Sequence, residues 1–94
     1  MTITDIKNAV AQVAPSYPVL SIDLFGSFAN GEGTADSDVD LLVYFDEKVA
    51  SLFDMSGLKF DIQDKLNAKV DIVAGPLKGN SYLIIDKKVR IYGA

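Results

Sequence analysis

The sequence predicts an α+β domain, a mixed β-sheet with helices packed against it. Three observations predict this. The runs VLSIDLF, DVDLLVYF and AKVDIVAG are apolar, rich in β-branched residues and bounded by turn formers, which is how strands read. Two other stretches carry apolar residues at helical spacing. The resulting order, α-β-β-α-β-α-β with the third helix ambiguous, suits a mixed sheet flanked by helices. At 94 residues, a single domain spanning residues 1–94 is expected.

Taken in order, residues 4–13 place Ile6, Ala9, Val10 and Val13 on one helical face. Thr2 or Thr4 is available as the cap, and Pro15 and Pro18 follow as a stop. Val19 to Phe25 forms the first strand, ended by Gly26. SFANG reads as one helical turn with Ser27 at its start, and EGTADS as a polar loop. Residues 38–45 form the second strand, and DEK at Asp46 a turn into a helix. That helix, residues 50–66, presents Leu52, Phe53, Met55, Leu58, Ile62 and Leu66 imperfectly, with Gly57 weakening it. Residues 68–75 form the third strand. NSYLIIDKK suits a short helix or a strand equally, and VRIYG an extended terminal piece.

Composition excludes several classes of function. The chain has neither cysteine nor histidine. Disulfide frameworks, Cys/His zinc or haem sites and Ser-His-Asp triads are therefore ruled out. Any metal must be a hard cation on carboxylate oxygens. The net charge is -4 and Arg90 is the only arginine, so direct nucleic-acid binding is not expected. No apolar run reaches membrane-spanning length, and a cytoplasmic location is expected.

The acidic residues carry the chemistry. Asp38 and Asp40 stand one residue apart at the head of an apolar run, so their side chains share a face. Like charges this close repel, and a divalent cation removes the penalty. Asp71 lies inside another apolar run, and on an adjacent strand it would complete a three-carboxylate cluster. Such clusters hold one or two Mg²⁺ ions in phosphoryl or nucleotidyl transfer. Gly26 lets a phosphate approach the backbone, and Ser27 with the next amides can donate to it. Rival motifs fail on single positions. A calcium loop needs a glycine where Leu41 stands, and a P-loop needs a lysine where Glu32 stands. GEGTAD lacks the last glycine of a dinucleotide fingerprint.

With the spacing laid out, the chain resembles the minimal nucleotidyltransferases (MNT) of the polymerase-β-like superfamily. Their pattern G-S-x-A-R-G, a short loop, then S-D-x-D-L, is matched by Gly26-Ser27-Phe28-Ala29-Asn30-Gly31 and Ser37-Asp38-Val39-Asp40-Leu41. Their third aspartate is matched by Asp71 in Lys69 to Val73, and DKKVRIYG is similar to the family ending. The departure is Asn30, where the family has an arginine.

The resemblance implies a polymerase-β-like palm and a nucleotidyltransferase that uses ATP and two Mg²⁺ ions. It implies that Asp38, Asp40 and Asp71 are catalytic and hold the metal. It also implies that Gly26, Ser27 and Ser37 bind the nucleotide, with Asp71 orienting or deprotonating the attacking hydroxyl. Relatives this small resemble antitoxins of HEPN–MNT pairs, which transfer AMP to a tyrosine of a HEPN RNase toxin. The acidic chain would complement a basic partner, in a homo- or hetero-oligomer. Two alternatives stay open: neutralisation by binding alone, and small-molecule nucleotidyl transfer with a separate helical subunit. Tyr17, Tyr44, Tyr82, Tyr92 and Phe28 read as packing residues. Thr34 and Asp36 read as plain loop, and Lys69 as a solvated side chain on the strand face opposite Asp71.

Overall fold

Thr2 opens the first helix through a reciprocal capping box. Its hydroxyl accepts from the Asp5 amide at 3.2 Å, and its own amide donates to the Asp5 carboxylate at 2.8 Å. In this computed structural model, which describes residues 1–34, 37–75 and 87–93, α1 spans Ile3–Val13. It buries the stripe Ile6, Ala9, Val10 and Val13, as the spacing predicts. A 3-10 turn at Ala14–Ser16 then leads the chain into β1, Val19–Phe25.

Strand β2 covers Val39–Phe45 and pairs antiparallel with β1, aligning Phe25 with Asp40 and Asp23 with Leu42. The turn predicted at Asp46 forms: the Asp46 carbonyl accepts from the Val49 and Ala50 amides. Helix α2, Leu52–Leu66, is capped by Ser51 and Asp54 in a second capping box and ends at Asn67 in the left-handed region. It carries the chain over to β3, Val70–Gly75, which pairs parallel with β2. The last strand, β4, is Val89–Tyr92 and pairs antiparallel with β1. The sheet order is β3-β2-β1-β4, a mixed sheet as expected. Most of NSYLIIDKK, and with it Tyr82, lies outside the described residues.

Alternation sorts the two faces of the sheet. Ile22, Leu24, Val39, Leu41, Val43, Val70 and Ile91 join the stripes of α1 and α2 in one core. Asp23, Phe25, Asp40, Leu42 and Asp71 occupy the other face, as their mutual register requires. Helix α2 departs from the sequence expectation. Only Leu58 and Ile62 are fully buried, whereas Leu52 and Phe53 are 80% and 88% exposed. Its buried stripe is one i, i+4 pair, so two apolar residues in its first turn point to solvent. No helix among the described residues is long and apolar enough to cross a membrane.

Candidate active site

Two strand starts and one strand end meet at a single edge of the sheet. The parallel register sets Asp40 of β2 directly beside Asp71 of β3. The antiparallel register sets the last residue of β1, Phe25, beside Asp40. Gly26 follows at once, with φ +75°, and a Cβ there would overlap the Asp40 carboxylate oxygen Oδ2. Glycine is thus required twice over, for its backbone conformation and for its closeness to the carboxylate. Asp38 lies just before β2, on the side of the chain that carries Asp40.

The electrostatics fit crowded carboxylates. The Asp40 carboxyl is pushed above its ordinary value, first by burial and then by the charges of Asp71 and Asp38. Asp38 is in an ion pair with Lys69, Oδ2 to Nζ at 3.6 Å. This corrects the reading of Lys69: it is exposed, but it faces the acidic cluster, because residues 69 and 71 are two apart and share a side. Among the described residues no three acidic side chains form a ready-made metal cage. The donor set still fits Mg²⁺, which binds through one or two carboxylates together with substrate phosphates rather than in an all-protein cage.

The turn after β1 forms as expected. The Asn30 amide donates to the Gly26 carbonyl at 3.1 Å and the Glu32 amide to the Ser27 carbonyl at 2.8 Å. Phe28 and Ala29 are buried in the core and hold the turn down, while Asn30 is exposed. Ser37 closes the following loop: its hydroxyl accepts from the Thr34 amide at 3.0 Å, and its amide donates to the Thr34 carbonyl at 3.0 Å. Asp36 lies outside the described residues.

Sequence reasoning missed Asp23. It sits mid-strand on the carboxylate face, 2% exposed. The Arg90 guanidinium donates to its Oδ1, and Lys88 Nζ stands 3.9 Å from Oδ2. The hydrogen bond from Arg90 to Asp23 raises the Arg90 pKa further. Arg90 also lies over the Tyr44 ring, 5.9 Å from its centroid. The available signal was an aspartate inside an apolar run, the same signal that singled out Asp71.

Adjacent carboxylates beside a glycine-led turn are an arrangement that suits a divalent cation held against a phosphate-bearing group. The nucleotidyltransferase domain family matches residues 3–92, and the chain belongs to that family. A Methanocaldococcus jannaschii protein assigned as a protein adenylyltransferase is 34% identical over 73 residues, covering 78% of this chain and 77% of its own. The protein adenylyltransferase MntA of Thermococcus cleftensis is 32% identical over 77 residues, covering 78% and 77%. A solved structure described as a minimal nucleotidyltransferase superposes with TM-score 0.68 at 35% identity, covering 79% of this chain and 78% of that one. The MNT antitoxin complex with a tri-AMPylated HEPN toxin of Shewanella oneidensis shares the fold, with TM-score 0.67 at 17% identity over 99% and 74% of the chains.

Proposed function

We propose that this chain transfers AMP from ATP to a tyrosine hydroxyl of a HEPN-domain toxin, and so acts as its antitoxin. The observation that carries the reading is the side-by-side placement of Asp40 and Asp71 next to Gly26. Relatives named protein adenylyltransferase, and the AMPylated toxin in the Shewanella complex, support the donor and the partner.

In this reading Asp38, Asp40 and Asp71 hold Mg²⁺. When bound, the metal neutralises charge on the α-phosphate and on the attacking and leaving oxygens. Asp71 orients the incoming hydroxyl and accepts its proton. Gly26, Ser27 and the first amides of the turn hold the β- and γ-phosphates, and Ser37 lines the nucleotide side. The hydroxyl oxygen bonds to the α-phosphorus, the bond from that phosphorus to the bridging oxygen breaks, and pyrophosphate leaves.

The test is incubation with Mg²⁺, a HEPN-domain partner, and ATP labelled at either the α- or the γ-phosphate. Label should reach the partner from α-labelled ATP alone and vanish with Asp38→Asn. Labelling from γ-labelled ATP would instead mean phosphorylation. No labelling, with neutralisation intact in Asp38→Asn, would mean that the chain acts by binding alone.

A further inference from the structure

Lys69 occupies an unusual place at the site just described. Its carbonyl accepts from the Val39 amide at 2.9 Å, which pins its backbone beside the start of β2. Its side chain reaches Asp38, Nζ to Oδ2 at 3.6 Å, with the two side chains 66% and 41% exposed. An ion pair this open contributes little to folding, so stability does not account for the placement. Asn30, in the turn that follows Gly26, is exposed and neutral. Lys88 and Arg90 are engaged with Asp23. Among the described residues, Lys69 is the cation found in an ion pair with Asp38.

We propose that Lys69 holds the phosphate tail of a nucleoside triphosphate, and that it screens Asp38 only while the site is empty. This rests on the nucleotidyltransferase reading above. A divalent cation taken up by Asp38 and Asp40 displaces the ammonium, because it carries twice the charge at closer range. The displaced side chain has a flexible stem, three donors and a compact charge, which suit a non-bridging phosphate oxygen. It stays within reach because its backbone is fixed at Val39. One side chain thereby couples metal entry to triphosphate capture.

The test uses the intact chain and two binding readouts that do not depend on turnover. For Lys69→Met, affinity for Mn²⁺ without nucleotide should rise a few-fold, since Asp38 loses its competing cation. Affinity for AMP-PNP with Mg²⁺ should fall about tenfold, the loss of one charged phosphate contact. Affinity for AMP should stay within about twofold of wild type, because AMP lacks the tail. Lys69→Arg should restore AMP-PNP binding. Equal loss for AMP and AMP-PNP, or no change for either, overturns the role in triphosphate capture. Unchanged Mn²⁺ affinity overturns the screening of Asp38. Wild-type protein that binds no AMP-PNP overturns the nucleotide site itself, an outcome distinct from a Lys69 variant matching a competent wild type.

Discussion

Asp40 bears the strain of the site. Its carboxyl is held above its ordinary value by burial and by Asp71 and Asp38, so its ionised form opposes folding. Below the unfolded value, near 3.8, both states keep the proton. As pH rises from there to the folded value, the unfolded chain ionises first and stability falls. In chelator-treated protein, Asp40→Asn should therefore melt higher than wild type. The difference should widen as pH rises through the carboxylate range, read from thermal melts at several pH values. The same variant should lose at least about a hundredfold in transfer rate, as expected when a charge-stabilising group is removed. Gly26→Ala should fail differently. The left-handed backbone alone costs about 1–2 kcal/mol, and the new methyl would displace the Asp40 carboxylate. Both stability and activity should fall, seen in parallel melts and transfer assays. Asp38 and Asp40 at the head of one apolar run, and Asp71 inside another, stand out in the sequence because charges placed there require an explanation. Asp23 carries the same signal, but its partner Arg90 lies 67 residues away. The pairing of β1 with β4 is needed to show why that charge is tolerated.

Element boundaries followed local chemistry closely. β1 falls where its apolar run predicts, and Thr2 proved to be the cap of α1. Helices α1 and α2 are each capped by a hydroxyl residue followed three residues later by an aspartate, a signal fully present in the sequence. The inward face of α2 was not legible. The spacing of its apolar residues does not say which will be buried, and Phe53 and Leu52 are exposed. Gly57 looked like a weak point, yet the structure gives it a reason. A Cβ there would come within 2.7 Å of the Tyr17 hydroxyl and 2.9 Å of its Cε1. Tyr17 is held in place by donating that hydroxyl to Asp61. Alanine in mid-helix ordinarily gains about 1 kcal/mol over glycine, but Gly57→Ala should destabilise the wild-type chain. In a Tyr17→Ala background the same change should stabilise, a reversal that a double-mutant cycle by denaturant melts would measure. The hydrogen bond to Asp61 also raises the Tyr17 pKa. Its contribution is fully present below the unfolded value near 10.0 and declines as pH rises toward the folded one. Tyr17→Phe should remove that alkaline decline.

At the scale of the molecule, the fold turns scattered residues into one site by pairing strands that are far apart in sequence. The parallel register of β2 and β3 aligns Asp40 with Asp71, and that register depends on α2 carrying the chain across. Periodicity gives strands but not their neighbours, so the sequence offered three carboxylates and a glycine turn without their distances. The net charge of -4 concentrates part of its repulsion at this edge, and a bound metal–nucleotide complex should relieve it. ATP with Mg²⁺ at 100 times its Kd should raise stability by about 2.7 kcal/mol. Either component alone should do less, a comparison that differential scanning fluorimetry can make.

In the proposed reaction, Asp38, Asp40 and Asp71 direct the transfer of a nucleotide to a protein hydroxyl. Intact-mass measurement of a HEPN-domain partner, after incubation with ATP, Mg²⁺ and this chain, is the decisive test. The partner should gain whole AMP units, located on tyrosine by peptide fragmentation. No gain should follow when Asp38, Asp40 and Asp71 are all replaced by asparagine. An unmodified partner with the wild-type chain, or equal modification with the triple variant, would contradict the proposed reaction.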